Sequence, residues 1–183
     1  MKNVSDYINQ LNTAWDSVDR DGLSASVEVV QRALRGGNSL FVVGNGGSSS
    51  TASHFVTDWV KGNRVLTGQN GKAFCLSDNT PMLTAISNDL EYSEVFSYQL
   101  QSYSTKGDVL VCVTGSGNSK NIIRVCEEAH LLGLSVVALT GFDGGATKKL
   151  ADYNFHCPID DMQIVEDMHL SFGHMVIRCQ VRN

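Results

Sequence analysis

The stretch Phe41-Val-Val-Gly-Asn-Gly-Gly-Ser-Ser-Ser-Thr-Ala-Ser-His-Phe-Val-Thr-Asp58 reads as an apolar strand, a turn of small residues and a helix. The run from Ser39 to Val43 is short and continuously apolar, as in a strand covered on both faces. Gly44, Gly46 and Gly47 then allow positive φ and close backbone approach, and Ser48, Ser49 and Ser50 can cap a helix whose unpaired N–H groups face an anion. His54 and Asp58 are spaced i, i+4 and share one helix face. An imidazole and a carboxylate therefore point the same way, one to two turns beyond an anion-competent turn.

Outward from this stretch the pattern repeats. Asp108–Val113 is a second apolar strand, Thr114-Gly-Ser-Gly-Asn-Ser119 a second glycine and hydroxyl turn, and Lys120–Leu132 a second helix. Further strands are expected at Ala73–Leu76, Ser135–Leu139 and Tyr153–Cys157. Helices are expected from the first turn to Lys61, over Met82–Ile86, over Tyr92–Tyr103, ending near Leu150, and from Asp161 to Val181, with Arg178 and Arg182 favouring the C-terminus of the last one. Two amphipathic helices between Ser5 and Arg35, broken near Asp19–Gly22, precede them and pack on the body of the domain or on a second subunit. The polar segment Gly62–Gly71 is either a lid or a plain connection. Strands alternating with helices imply an α/β fold, a three-layer α/β/α sandwich around a five-stranded parallel sheet, with N-terminal helices over 1–37 and the main domain over 38–183. In such sheets ligands bind beyond the strand carboxyl ends, so both turns can line one pocket.

Composition narrows the function. A chain of 183 residues with 42% hydrophobic content suits one domain with a sizeable core. The net charge of -5, without a Lys/Arg run, argues against a nucleic-acid partner. Met1-Lys-Asn-Val-Ser-Asp carries no apolar h-region and no stretch is long enough to span a membrane, so the expected location is cytoplasmic. Cys75, Cys112, Cys126, Cys157 and Cys179 are scattered and odd in number, and are expected to be reduced core thiols.

Neither turn carries a nucleotide fingerprint: the first lacks the Gly-Lys-Ser/Thr ending of a P-loop, and no acid is placed to hold a ribose. The hydroxyls of Thr114, Ser116 and Ser119, with the N–H groups of the following helix, suit a phosphate monoester. Taken alone, His174 after Gly173 reads as a core histidine, and Asp143-Gly-Gly145 as a plain turn. Glu166 and His174, eight apart on the last helix, lie about 80° apart around its axis and can reach one cleft, whereas His169 points roughly 140° from His174. Asp167 competes with Glu166 for the same face, and His130 and His156 carry no assignment.

Gly44-Asn-Gly-Gly-Ser48 with His54, Ser87-Asn-Asp89, Thr114-Gly-Ser-Gly-Asn-Ser119, Leu139-Thr-Gly-Phe-Asp-Gly-Gly145 and a last helix bearing His169 and His174 together resemble the sugar isomerase (SIS) domain family, within it the phosphoheptose isomerases. The resemblance implies a flavodoxin-like sheet and a homotetramer with sites between subunits. It implies interconversion of sedoheptulose 7-phosphate and D-glycero-D-manno-heptose 7-phosphate for bacterial surface polysaccharide (lipopolysaccharide or capsule). Carried over, Thr114, Gly115, Ser116 and Ser119 hold the phosphate, Asn45, Gly46, Gly47, Ser48, Asn88 and Asp89 the sugar, and His54, Asp58, Glu166 and His174 a zinc ion, with Asp58 as base, His174 as acid and Glu166 also facing substrate. Two positions depart from that pattern, Asp58 standing for a glutamate and Glu166 for a glutamine. One methylene less retracts a carboxylate by about 1.5 Å. Alternatives from the same resemblance are a non-catalytic SIS-domain protein that binds a replication-initiator partner, and an isomerase of another sugar phosphate.

Overall fold

In the computed structural model, which describes residues 3–179, the run that begins at Ser39 is strand β1 (Ser39–Gly44) of an all-parallel, five-stranded sheet. The others are β2 (Lys72–Cys75), β3 (Val109–Thr114), β4 (Ser135–Thr140) and β5 (Tyr153–His156), in the order β2-β1-β3-β4-β5. Eight helices surround them: α1 (Val4–Asp16), α2 (Arg20–Gly36), α3 (Gly47–Thr67), α4 (Thr80–Asp89), α5 (Ser97–Tyr103), α6 (Lys120–Leu131), α7 (Gly145–Leu150) and α8 (Met162–Arg178). This is the expected α/β sandwich.

The apolar runs are continuous because both sheet faces are covered. In β1, Leu40 and Val42 join a core with Val30 and Leu34 of α2, Phe55 and Trp59 of α3 and Phe172 of α8, while Phe41 and Val43 join a second core with Ile86 of α4, Leu100 of α5 and Ile122 of α6. Full burial of such side chains contributes roughly 1.5–3 kcal/mol each. The strand order reverses between β1 and β3, whose register pairs Gly44 with Val113. The two small-residue turns therefore emerge side by side at the switch point.

Several boundaries differ from the sequence reading. α3 continues past Lys61 to Thr67 and ends on the left-handed Gly68, so most of Gly62–Gly71 is helix rather than loop. Gly62 lies inside the helix where α8 passes close by: a Cβ there would lie 3.2 Å from the Ile177 side chain. The Tyr92–Tyr103 segment divides into a 3-10 turn at Tyr92–Glu94 and α5. The serines after Gly47 lie inside α3, whose N-cap is Gly46 with no side-chain cap bond, so they do not act as caps. The sequence expectations at Val181 and Arg182 lie outside the described residues. Cys112, Cys126 and Cys157 are buried thiols, Cys75 is half-buried and Cys179 exposed, so Cys179 departs from the core reading. No helix of the described residues is long and apolar enough to cross a membrane.

Candidate active site

The site is built on α3 and α8, which run side by side in the same direction. Gly47 faces Glu166 at their N-terminal ends and Gly62 faces Ile177 near the far ends. Close approach is enforced in the middle, where Trp59 Nε1 donates to the Gly173 carbonyl at 3.1 Å and a Cβ on Gly173 would strike the Phe55 ring at 2.3 Å. That contact sets His174 against His54.

Three donor atoms converge there. His54 Nε2 lies 3.1 Å from Asp58 Oδ2 and 3.3 Å from His174 Nε2, and His174 Nε2 lies 3.7 Å from Asp58 Oδ2. All three side chains are partly open to solvent, between 38% and 51% exposed. A tetrahedral ion with bonds of 2.0–2.1 Å holds its ligand atoms about 3.3–3.4 Å apart. The measured separations bracket that value, so the donor set fits a divalent cation of the zinc type. The shorter Asp58 still reaches the point where the imidazoles meet, so the missing methylene does not remove the carboxylate from the cluster.

Glu166 is not part of this group. It stands about 12 Å back along α8 from His174, over Gly47, where a Cβ would meet its Oε1 at 2.6 Å. There it lines a cavity of about 170 Å³ with Asn45, Ser48, Thr114, Gly115, Ser116, Ser119 and Met162. Of the predicted residues, the structure thus gathers the phosphate turn, Asn45, Ser48 and Glu166 into one cavity and His54, Asp58 and His174 into a cluster farther along the same helices. Asp167 is taken up by the Tyr7 hydroxyl, which donates to it at 2.6 Å, and this contact pushes the Tyr7 pKa up to about 12. Asn88 and Asp89 bond each other at the exposed end of α4 and line no described cavity.

The second turn is wired for donation. Thr114 Oγ1 accepts from the Gly117 N–H and Ser116 Oγ from the Asn118 N–H, both at 3.3 Å, which leaves each hydroxyl proton for a ligand. Ser119 is the extended N-cap of α6 and makes no capping bond with its side chain. Three hydroxyls and a helix N-terminus therefore face the cavity.

Sequence reasoning missed what holds this turn. The segment after β4, read as a plain turn, braces it: Gly141 N donates to Gly115 O at 2.8 Å, Thr147 N and Oγ1 both donate to Gly117 O, and Ala146 N donates to Asn118 Oδ1 at 3.1 Å. Gly117 has φ +66 and a Cβ would lie 2.0 Å from the Gly144 carbonyl, so no other residue fits. The repeated glycines of Asp143-Gly-Gly145 were the available signal. Asn121 and Tyr92, which bond Asn45, were also missed, since one buried asparagine in a helix carries no pattern.

His169 is fully buried, with neither ring nitrogen in a hydrogen bond of normal geometry. Burial, only partly offset by the nearby Thr140 backbone, pushes its pKa down to about 4. His156 pairs through Nδ1 with Thr140 Oγ1 at 3.0 Å, and burial and then Lys148 hold its pKa below the usual histidine value.

A parallel sheet with paired hydroxyl-rich turns at its switch point and a His/Asp cluster alongside defines an α/β protein with a hydroxyl-lined cleft at the strand carboxyl ends. Residues 5–141 match the SIS domain model, and the chain belongs to the SIS domain family. It is 37% identical to a phosphoheptose isomerase of Helicobacter pylori (strain P12), over 88% of this chain and 83% of that one. It is also 37% identical to a phosphoheptose isomerase of Akkermansia muciniphila, over 94% of each. The solved phosphoheptose isomerase of Neisseria gonorrhoeae superposes with a TM-score of 0.85 at 29% identity, covering 96% of this chain and 95% of that one. The phosphoheptose isomerase of Francisella tularensis gives 0.85 at 26% identity, covering 96% and 97%.

Proposed function

We propose that this chain is a phosphoheptose isomerase that interconverts sedoheptulose 7-phosphate and D-glycero-D-manno-heptose 7-phosphate, making a precursor for surface polysaccharide. The observation that carries this reading is the convergence of His54, Asp58 and His174 within 3.1–3.7 Å on the same helix pair that borders the hydroxyl-lined cavity. The relatives at 37% identity bear that name over most of their length.

In this reading the N-terminal N–H groups of α6 and the hydroxyls of Thr114, Ser116 and Ser119 hold the phosphate monoester without a lysine or arginine in the cavity lining. Asn45, Gly46, Gly47 and Ser48 form the shelf for the sugar, with Glu166 over Gly47, and Asn88 and Asp89 are carried over from the resemblance as further sugar contacts. Asp58 takes the proton from the carbon beside the carbonyl and, after exchange with solvent, delivers one to the neighbouring carbon, while His174 exchanges a proton with the carbonyl oxygen; together these moves interconvert aldose and ketose through an enediol. Zinc is the proposed ion, which His54, Asp58 and His174 would hold, so that His174 Nε2 would be a ligand rather than the acid while the ion is bound; Glu166, about 12 Å away along α8, lies outside its reach. A divalent cation there supplies Lewis acidity toward a carbonyl or alkoxide oxygen. The proposed assembly is a homotetramer with sites between subunits, in which the half-exposed cluster would be covered by a neighbouring subunit.

The test is turnover. Purified protein given sedoheptulose 7-phosphate is expected to form the aldose, to lose activity with chelator and to regain it with zinc. Absence of product at high enzyme concentration with zinc supplied overturns the reading.

A further inference from the structure

The side chain of Asn45, at the end of β1, is held by three hydrogen bonds. Its Oδ1 accepts from Asn121 Nδ2 and from the Tyr92 hydroxyl, both at 2.9 Å, and its Nδ2 donates to Asn121 Oδ1 at 2.9 Å. An amide oxygen has two lone pairs and an amide nitrogen two hydrogens. The network therefore uses both acceptor positions and one donor, and leaves a single N–H. Asn121 is buried in the first turn of α6, just beyond the phosphate turn, and Tyr92 comes from the 3-10 turn. Asn45 borders both the cavity with Thr114 and Ser119 and an adjoining recess of about 420 Å³ lined by Tyr92, Ser119 and Lys120.

Resting on the sugar-phosphate reading of this site, we propose that Asn121 and Tyr92 are positioning residues that make Asn45 a single fixed N–H donor, selective for an acceptor oxygen of the bound sugar phosphate. A substrate hydroxyl finds no free lone pair on Asn45 and cannot donate to it. Two donors on Oδ1 also polarise the amide and strengthen its remaining N–H. The same bonds tie the end of β1 to the start of α6, so the two turns are set relative to each other by this pair of asparagines.

A double-mutant cycle tests this. Asn121→Ala is expected to lower kcat/KM for sedoheptulose 7-phosphate about 10- to 100-fold in the wild-type background, and about twofold or less when Asn45→Ala is already present, with the unfolding midpoint followed in both. Tyr92→Phe should show a smaller loss with the same dependence on Asn45. Asn45→Asp, which keeps shape but cannot donate, should lose as much as Asn45→Ala. Affinity for inorganic phosphate, measured by calorimetry on the same variants, locates the acceptor: a shared loss supports the proposal with a phosphate oxygen, and a loss confined to the sugar phosphate supports it with a sugar oxygen. Equal fold-losses from Asn121→Ala in both backgrounds, or wild-type activity in Asn45→Asp, would overturn it. If the wild type binds but does not isomerise sedoheptulose 7-phosphate, the isomerase reading fails, and the cycle read in affinity still decides the positioning claim.

Discussion

The turns after β1 and β3 are built to one plan, but their left-handed glycines sit in opposite surroundings. The first ends on Gly46, with φ +55 and no atom within 4 Å of where a Cβ would stand, and its helix carries no side-chain cap. The second contains Gly117, at φ +66 and pressed against the Gly144 carbonyl, and is bonded by Gly141, Ala146 and Thr147. The braced turn presents the hydroxyls of Thr114, Ser116 and Ser119, which in the proposed function hold the phosphate. The open turn leads into the helix that carries His54 and Asp58 and has room for a sugar. Similar small-residue composition thus serves a rigid clamp in one place and an accessible shelf in the other.

One methyl added to each turn should have very different consequences. Gly117→Ala meets backbone as well as unfavourable φ, and should cost about 3–5 kcal/mol and abolish phosphate binding. The acid limb of the stability curve is the next largest effect and also lies on the braced side, behind β4. His169 is neutral when folded with a pKa near 4 and titrates near 6.5 when unfolded, so between those values the unfolded chain binds a proton the folded chain does not. Stability should be intact above about pH 6.5 and fall by on the order of 3 kcal/mol by pH 4; His169→Leu should flatten that limb in denaturant titrations. Gly46→Ala meets only the dihedral penalty and should cost about 1–3 kcal/mol, leaving inorganic phosphate affinity near wild type. Gly47→Ala should be mildest, under about 1 kcal/mol, because the flexible end of Glu166 can swing away. Its effect should appear as a change in sugar-phosphate affinity rather than in the unfolding midpoint. Equal costs for Gly46→Ala and Gly117→Ala would contradict the division of labour.

Much of this was readable from residues alone, and the reason is periodicity. Short strand-like runs marked all five strands to within a residue, most clearly β1, β3 and β4, whose burial on both faces leaves almost no polar positions, whereas the edge strands β2 and β5 keep Lys72, Asn154 and His156. The i, i+4 spacing placed His54 and Asp58 together, and helix geometry set His169 apart from His174, which the burial of one and exposure of the other match. What could not be read depends on contacts between elements distant in sequence. Gly62 looked like a loop residue, yet it is glycine because α8 crosses there. By angle Asp167 lies nearer the face of His174 than Glu166 does, yet Tyr7 of α1 engages Asp167 and leaves Glu166 to the cavity. Asp143-Gly-Gly145 looked like a turn and is one, but its service as a brace depends on β4 lying beside β3.

Proton transfer by Asp58 can be read from isomerisation in D2O. With sedoheptulose 7-phosphate and zinc, the wild type is predicted to form an aldose that carries solvent deuterium at C2 by NMR, with Asp58→Asn slowed about 10²- to 10⁴-fold and its fold unchanged. An Asp58→Asn variant that forms labelled aldose at the wild-type rate would contradict the account.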